Sequence, residues 1–544
     1  MRSAILRTVL LGACLQAAAG PAPSAAPATQ GPGRPNILLI VADDLGYADL
    51  GSYGSDIRTP NIDRLAREGL RFAHFQTAPK CAPTRAMLLS GNNNHVAGMA
   101  RQSAPDLAGH RVPGYEASLS PRVLPFPRLL RESGYHTYMV GKWHLGLTPR
   151  TSPTAAGFER SFSLLDGAGN HWDDTGFFEG GSSFWADGDF ADYPAGRYSS
   201  AFYTDRLIAF LDSDRGDDRP FFAYAAYTSP HWPLQVPEDE LQRYAGAYDD
   251  GYDALRARNF RRLQAAGLVA PDAELPPRND AITPWEGLTA AQRRREARKM
   301  ELYAAMVENL DGQVGRLIDY LKASGRYADT LVIFMSDNGA AGEDFYNEGP
   351  FVEYLRANYD NAYEKMGTPQ SFVSYDDPWA EAGSAPFARI KTYTRQGGIS
   401  APMIMAGPPV AARGDIDFSY VTVMDLAPTI LELAGVRYPQ RVGIRPMLGE
   451  SMLDYLAGSA PAVHGPDYVT ALFHAGRAFL RQGDWKISTL EPPFDERDFA
   501  LFNLAQDPGE ARDLRDSQPE RFEALLELWR QRRRELGIIL PEDL

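Results

Sequence analysis

The stretch Asn36-Ile37-Leu38-Leu39-Ile40-Val41-Ala42-Asp43-Asp44 is an apolar run that stops at a pair of aspartates. A run without alternating polar residues indicates a strand buried on both faces, as in the parallel sheets of α/β proteins. Other apolar runs alternate with helix-like segments, which predicts an α/β fold with a large mixed, mostly parallel sheet flanked by helices. The further strand-like runs span 136–140, 220–227, 330–335 and 401–406, and the long helix-like segments span 291–324 and 424–434.

Two helix starts are expected between the first two of these strands. Thr59 and Pro60 suit the N-cap and the first position of a helix. Cys81 lies where a loop passes into a second helix, whose first turns are residues 84–89.

The pattern changes near residue 447. Short alternating runs joined by turn residues indicate antiparallel strands, and an amphipathic helix follows them. We therefore expect a main domain over 35–446 and a smaller C-terminal antiparallel sheet-plus-helix domain over 447–544. The strands of the smaller domain are expected at 468–473, 477–481 and 485–489, and its helix at 519–536.

The first 20 residues have the layout of an export signal, with arginines, a short apolar stretch and then small residues. Two readings stay open. Ala17-Ala18-Ala19 suits ordinary cleavage, whereas Leu11-Gly12-Ala13-Cys14 resembles a bacterial lipobox, which would make Cys14 a lipid anchor. The lipobox is slightly favoured because it accounts for this cysteine. Residues 21–34 suit a flexible linker, and no later segment is apolar enough to span a bilayer. We expect an exported, periplasmic protein, with or without the anchor.

The formal net charge of the chain is −15, from 55 Lys and Arg against 70 Asp and Glu. Nucleic-acid binding needs a basic surface, so no nucleic-acid partner is expected. An anionic substrate would have to be held by a local cluster of positive side chains, because the overall charge repels it.

Two predicted strands end in adjacent oxygen-bearing residues, Asp43-Asp44 and Asp337-Asn338. The carboxyl ends of strands form the ligand crevice of open α/β sheets, so these side chains are expected to meet. An all-oxygen set suits Ca²⁺ or Mg²⁺ better than zinc. Taken alone, each pair is more often a turn or a helix cap; the two pairs together favour a metal site.

Cys81 opens the segment Cys81-Ala82-Pro83-Thr84-Arg85, and the chain has only two cysteines. If Cys14 belongs to the export signal, Cys81 has no partner for a disulfide. A lone cysteine is most often a buried, inert residue. A thiolate nucleophile paired with a histidine is the second interpretation.

A basic set accompanies these residues. In the segment 134–146, Lys142 and His144 are two apart, a spacing that points both side chains to one face of an extended strand. His231 follows a predicted strand, and Lys391 precedes another. With Arg85 they supply three fixed cations and two histidines for an anion, although single lysines and histidines are usually surface or core residues.

The segment from Cys81 to Gly91 and the segment from Gly134 to Gly146 resemble the two signatures of the sulfatases. The resemblance covers nearly the whole mature chain and is closest to bacterial calcium-dependent arylsulfatases of the alkaline-phosphatase-like superfamily. It implies that fold, with 35–446 as the sulfatase catalytic domain. It also implies hydrolysis of sulfate monoesters, aryl sulfates first, by a formylglycine that a modification enzyme makes from Cys81. One divalent cation, Ca²⁺ in preference to Mg²⁺, is implied.

The resemblance also assigns roles. The metal ligands would be Asp43, Asp44, modified Cys81, Asp337 and Asn338, and the catalytic residues would be Cys81, Arg85, Lys142, His144, His231 and Lys391. Thr84 and Gln396 stand where relatives often carry Ser and Glu. The alternatives are a phosphonate monoesterase or phosphodiesterase, a carbohydrate sulfatase, and a binding protein on an inactive scaffold. An aromatic insertion would line a pocket for an aryl group or pack as a surface loop; it contains His171, Trp172, Phe177, Phe178 and Trp185.

Overall fold

The central strand β1 (Asn36–Ala42) is buried on both faces, as its sequence predicts. Leu38, Ile40 and Ala42 pack into one hydrophobic core. Their neighbours at 37, 39 and 41 pack into a second core on the opposite face. This computed structural model describes residues 33–102 and 112–540. The expected export signal, Cys14 and residues 21–32 of the expected linker lie outside the described residues.

The helices and strands are as follows. The strands are β1, β2 (Leu70–Phe72), β3 (Phe75–Gln76), β4 (His136–Lys142), β5 (Arg160–Leu164), β6 (Phe184–Ala186), β7 (Asp189–Ala191), β8 (Phe221–Ala226), β9 (Thr330–Ser336), β10 (Met403–Ala406), β11 (Asp415–Asp417), β12 (Val421–Thr422), β13 (Val469–His474), β14 (Arg477–Gln482), β15 (Trp485–Ser488) and β16 (Ala500–Asn503). The α-helices are α1 (Pro60–Glu68), α2 (Cys81–Ser90), α3 (Phe126–Glu132), α4 (Ser199–Ser213), α5 (Gly251–Ala265), α6 (Ala290–Ala323), α7 (Val352–Asn358), α8 (Asp376–Gly383), α9 (Gln396–Ile399), α10 (Leu426–Leu433), α11 (Leu453–Leu456) and α12 (Pro519–Leu536).

The large sheet has the strand order β11-β2-β10-β9-β1-β8-β4-β5-β6-β7. Its central strands, from β9 to β5, are parallel to one another. Strand β10 and the edge strands β6 and β7 are antiparallel to their neighbours. Helices α4 and α6 contribute to the core on one face, and α2, α3 and α10 to the core on the other. The predicted α/β fold is confirmed.

Two local predictions hold only in part. Thr59 is the N-cap residue of α1 and Pro60 its first residue, as predicted. The Thr59 hydroxyl, however, donates to Asp63 Oδ1 and accepts from Gly51 N, so it caps no helical amide. The helix predicted over 424–434 begins with a 3₁₀ turn at Val423–Asp425, so α10 is shorter than expected.

The C-terminal sheet is antiparallel and has the order β13-β14-β15-β16. Helix α12 covers it, with Leu525, Leu526 and Trp529 in a core shared with Leu480 of β14 and Ile487 of β15. The domain boundary near residue 447 stays a prediction. No helix among the described residues combines the length and apolarity needed to cross a bilayer.

Candidate active site

Four neighbouring strands deliver the predicted site residues to one end of the sheet. Asp43 and Asp44 follow β1, Asp337 and Asn338 follow β9, and Lys142 is the last residue of β4. Because these strands are parallel, their carboxyl ends lie together. His231 comes from the loop after β8, Cys81 is the first residue of α2, and Lys391 lies in the loop before α9.

The two acidic pairs are in direct contact. The backbone amide of Asp44 donates to Asp337 Oδ1 at 3.2 Å. Asn338 Nδ2 donates to Asp44 Oδ1 at 2.6 Å. Asp44 adopts a φ of +64°, in the left-handed region, which is a strained conformation typical of functional sites. Chain segments far apart in sequence therefore form a single acidic cluster, as predicted.

Two fixed cations bind this cluster from one side. Lys142 Nζ donates to Asp43 Oδ1 and Oδ2 at 2.9 and 2.7 Å. Arg85 donates to Asp337 Oδ2 from Nε and Nη2 at 3.0 and 2.8 Å, and its Nη1 donates to the Lys142 carbonyl. Both cationic side chains are almost fully buried. Charge-assisted bonds of this kind make buried charges tolerable.

Lys391 and His231 approach the cluster from another side. Lys391 Nζ donates to Asp44 Oδ2 at 2.7 Å and lies 3.5 Å from His231 Nε2. His231 Nδ1 is 2.7 Å from the carbonyl of Trp232, which can only accept, so Nδ1 carries the proton. Burial and the charges of Lys142 and Lys391 lower the pKa of His231 well below its ordinary value. His231 is therefore a neutral imidazole with Nε2 directed into the site.

Cys81 lies among these groups as a thiol. Its Sγ is 3.7 Å from Asp44 Oδ1, and the residue is 1% exposed. Burial raises the pKa of the Cys81 thiol, and the nearby lysines only partly oppose this. The thiol stays protonated at neutral pH, which argues against the interpretation of Cys81 as a thiolate nucleophile.

His144 lines one cavity together with Cys81, His231 and Lys391, but not for the reason that its spacing suggested. Its φ is +56°, so the chain leaves the extended conformation there and the argument from a two-residue spacing fails. Its buried Nδ1 has no hydrogen-bond partner among the described residues. Burial and the charges of Lys142, Arg85 and Lys391 lower the pKa of His144 well below its ordinary value. His144 is therefore a neutral base close to the cationic groups.

The donor set fits a cation. Asp43, Asp44, Cys81 and His231 each offer one ligand atom, and these atoms lie within 4.8 Å of one another. Burial raises the pKa of Asp43 to about 7, and the charges of Asp337 and Asp44 contribute to this rise. Asn338 Oδ1 is buried without a hydrogen-bond partner. A divalent cation would relieve the repulsion between the carboxylates and satisfy the amide oxygen.

The comparisons with known proteins agree with this geometry. The family model described as Sulfatase matches residues 35–436, most of the chain. The chain belongs to the sulfatase family. It is a hydrolase of sulfuric esters, as the resemblance implied.

Three relatives illustrate the match. The sulfatase is 39% identical to an uncharacterized sulfatase of Schizosaccharomyces pombe, over 94% of this chain and 95% of that protein. It is 37% identical to an arylsulfatase of Klebsiella aerogenes, over 76% of this chain and 90% of that one. The solved structure of Ps i-CgsB in complex with k-i-k-neocarrahexaose aligns with a TM-score of 0.65 at 25% identity, covering 92% of this chain and 93% of that one.

Sequence reasoning missed an acidic residue beside the catalytic groups of the sulfatase. Glu343 Oε1 pairs with Lys80 Nζ, and Glu343 Oε2 lies 3.7 Å from Lys391 Nζ. The attraction of Lys391 and Lys80 outweighs burial and lowers the pKa of Glu343, so it is charged. Both residues flank predicted ones, since Lys80 precedes Cys81 and Glu343 follows the Asp337 segment. Their closeness in sequence to predicted site residues is the signal by which they could have been found.

The aromatic insertion divides between the two expected roles. Phe177 and Phe178 line the active-site cavity of about 1110 Å³. The Trp172 ring is tilted against that of Tyr198, with 5.2 Å between the ring centroids. Trp185 is a buried residue of β6 whose Nε1 donates to Thr154 Oγ1. His171 bonds Ser199 and the His231 carbonyl, behind the site. The pocket prediction is therefore wrong for His171, Trp172 and Trp185.

Proposed function

We propose that the sulfatase hydrolyses aryl sulfates to a phenol and inorganic sulfate, using a formylglycine made from Cys81 by a modification enzyme. A divalent cation, Ca²⁺ in preference to Mg²⁺, would be held by Asp43, Asp44, Asp337, Asn338 and the modified Cys81. The observation that carries the proposal is the position of Cys81, which is buried beside Asp44 and near the charges of Lys142 and Lys391, while burial raises the pKa of its thiol.

When bound, the cation lowers the pKa of a hydroxyl group and stabilises negative charge on the substrate. Without it, the three carboxylates of Asp43, Asp44 and Asp337 balance the charges of Arg85, Lys142 and Lys391. With it, the site gains the positive charge that an anionic sulfate ester requires, even in a chain of net charge −15. Lys142 and Lys391 would then bind sulfate oxygens.

The reaction would proceed in two steps on the hydrated aldehyde, whose two hydroxyls replace the Cys81 thiol. One hydroxyl gives its proton to Asp337, and its oxygen attacks sulfur. The bond to the aryl oxygen breaks, and the phenol leaves with a proton from Lys391, whose Nζ lies 3.5 Å from His231 Nε2. His144 then removes the proton of the second hydroxyl. The bond between carbon and the sulfate oxygen breaks, sulfate leaves and the aldehyde re-forms. Arg85 and the two lysines stabilise the charge on the transferring group.

An aromatic wall beside His231 supports an aryl leaving group. Trp232 lies edge-on to Phe177 and Phe345 at 5.7 and 5.1 Å between ring centroids. Phe178 and Phe351 extend the wall, and all of these residues line the cavity. Aromatic rings favour an aryl group in such edge-to-face contacts. The arylsulfatase relative from Klebsiella supports the same substrate class.

Peptide mass analysis of Cys81 tests the chemistry. Protein made together with its modification system should carry an aldehyde at this position, and an unmodified thiol in active protein would refute the mechanism. Cys81→Ser should attack once and stall, because its ester has no second hydroxyl with which to eliminate sulfate. Cys81→Ala should be inactive without accumulating a sulfated enzyme.

Substrate comparison tests the class. Aryl sulfate should be preferred over aryl phosphonate and phosphodiester, and over sulfated sugars; a preference for a diester or a sugar sulfate would select the corresponding alternative. Phe177→Ala should raise KM for an aryl sulfate more than for a short alkyl sulfate. Trp172→Ala is the matched control, because Trp172 does not line the cavity, and it should leave both values unchanged.

We also propose that the sulfatase is exported to the periplasm and anchored through Cys14. Cell fractionation should recover it with the membranes, on their periplasmic side. Cys14→Ser should release it into the soluble periplasmic fraction or block its maturation. Soluble periplasmic wild-type protein cleaved after Ala19 would favour the ordinary export signal instead.

A further inference from the structure

A second cavity, of about 290 Å³, lies between the C-terminal sheet and the chain around β3 and β12. It shares no described lining residue with the active-site cavity. Arg481 of β14 forms part of its wall and is only 6% exposed. The proposed reaction makes no use of this arginine.

The Arg481 guanidinium packs on an aromatic ring but has no counter-ion among the described residues. Its Cζ lies 3.7 Å from the centroid of the Tyr420 ring, and its Nε donates to the Gly483 carbonyl at 2.8 Å. No carboxylate oxygen of the described residues lies within 4.0 Å of it. Asp484 lines the cavity too, but it is exposed to solvent and outside that distance. A buried cation without a paired anion is costly for the folded state.

The strand next to Arg481 increases this cost. Lys486 of β15 stands directly opposite Arg481 in the antiparallel ladder. Like charges in directly opposite positions destabilise a sheet. The nearby carboxylate of Glu510 forms an ion pair with Lys486, with 2.9 Å between Lys486 Nζ and Glu510 Oε1. Even so, the pKa of Lys486 is lowered to about 8, by burial first and also by the charges of Arg395 and Arg481. Burial also lowers the pKa of Arg481, although Asp484 and Glu510 attract its charge from a distance.

The opposite wall of the cavity supplies hydrogen-bonding groups. Gln76 is 3% exposed, and one atom of its amide, Oε1, is buried without a partner. Gln76 Nε2 donates to Gln396 Oε1 at 2.6 Å, so Gln76 offers an N–H to an anion only if both amides turn over together. His74 lines the same cavity, and its Nδ1 donates to the Phe418 carbonyl at 2.9 Å. Its Nε2 would donate to an anion when the ring is protonated.

We propose that this cavity binds a small oxyanion, with the guanidinium of Arg481 as its main ligand and Tyr420 beneath it. The planar fork of an arginine matches the paired oxygens of a sulfate, phosphate or carboxylate group. The bound anion would neutralise Arg481 and remove the unfavourable pairing with Lys486. The site is independent of the proposed reaction, so either proposal is able to fail alone.

Thermal unfolding of the full-length protein tests the site. Sulfate should replace chloride at constant ionic strength, because sulfate also stabilises proteins without binding and that effect does not saturate. We expect wild type to show a saturable rise in Tm, as linkage requires for a ligand of the folded state. Arg481→Gln should reduce the saturable rise while keeping its turnover of aryl sulfate, because the active site is also expected to bind sulfate. The double variant Arg481→Gln with Lys142→Ala should lose the rise altogether.

Two further variants locate the effect. Lys142→Ala, which impairs the active site, should keep the saturable rise. Arg256→Gln should also keep it, because Arg256 is a buried arginine without a carboxylate partner among the described residues but lines neither cavity. A rise that is unchanged in Arg481→Gln, that persists in the double variant, or that disappears in Lys142→Ala would place the anion elsewhere and overturn the proposal.

Crystals of the wild-type protein soaked in selenate give a test that does not depend on a variant. An anomalous peak within hydrogen-bonding distance of Arg481 is expected; a peak in the active site alone would refute the site. Parallel titrations distinguish the source of the oxyanion. A response to sulfate and phosphate but not acetate indicates a free inorganic ion, and a response to acetate indicates the carboxylate of a larger solute. No response to any of the three contradicts the proposal.

Discussion

At the scale of single residues, Glu343 lies outside the recognised motifs but contacts Lys391, which we propose to be catalytic. Its carboxylate forms ion pairs with Lys80 and Lys391. Among the described residues, its Oε2 accepts no hydrogen bond, so the attraction to Lys391 is its main interaction. Glu343→Gln should leave Lys391 less firmly placed beside His231. We expect kcat/KM for an aryl sulfate to fall about 10- to 100-fold, as is typical when a supporting partner is removed.

The control is Glu348→Gln, which removes the same charge from the same loop at an exposed position. It should retain full activity. If both variants lose activity equally, the loss reflects net charge rather than the contact with Lys391, and the positioning role of Glu343 is wrong.

A substitution at Gly167 tests the proposed role of His144, because it moves the imidazole without replacing it. A Cβ at residue 167 would lie 2.5 Å from His144 Cε1, closer than any real contact, so Gly167→Ala must displace the imidazole. Turnover should fall while sulfated enzyme accumulates, because His144 is proposed to release it. Intact mass after an acid quench measures the intermediate. Gly216→Ala, where a Cβ meets nothing within 4 Å, should behave as wild type, and an absence of sulfated enzyme in Gly167→Ala would contradict the role.

At the scale of elements, the segment after α2 is joined to β13 through buried polar groups. Asn93 and Asn94 donate to the carbonyls of Ala471 and Phe473. His474 Nδ1 donates to the Ala100 carbonyl at 3.0 Å. Both ring nitrogens of His95 are buried without partners. Burial lowers the pKa of both histidines to about 3, so both are neutral in the folded protein.

This contact should weaken in acid. A histidine of the unfolded chain has a pKa of about 6.5. Between that value and about 3 the unfolded state binds protons that the folded state does not. Stability from His95 is therefore complete above about pH 6.5 and is lost as the pH falls towards 3. His95→Phe should lose less stability than wild type between pH 8 and pH 5 in urea unfolding; equal losses would refute the assignment.

At the scale of the whole molecule, the sequence predicted the positions of those site residues that lie at the ends of parallel strands. Apolar runs ending in Asp43-Asp44 and Asp337-Asn338 indicate parallel strands, and parallel strands bring their ends together. It did not predict contacts made by loops. The aromatic wall joins Phe177, Trp232 and Phe351 from three separate loops, and no periodicity links them. His144 was assigned correctly to the cavity through a resemblance, although its backbone contradicts the strand argument.

The acidic cluster also predicts how the molecule depends on its cation. The segments after β1 and β9 each contribute ligands, so a bound ion would link distant parts of the chain and offset the repulsion between Asp43, Asp44 and Asp337. Treatment with EGTA should abolish activity and lower Tm, since a ligand of the folded state stabilises it by mass action.

Ca²⁺ should restore both quantities, and Mg²⁺ should restore them less, because several oxygen ligands at flexible spacing suit the larger ion. Asp44→Asn is the comparison variant: its Tm should respond little to EGTA or to Ca²⁺, because one of the ligand carboxylates is gone. A wild-type Tm that does not change on chelation, in protein that metal analysis shows to be free of bound ions, would mean that Arg85, Lys142 and Lys391 alone balance the acidic cluster. The positive charge needed for a sulfate ester would then have to come from protonation of the carboxylates, of which Asp43, with its pKa of about 7, would be the first.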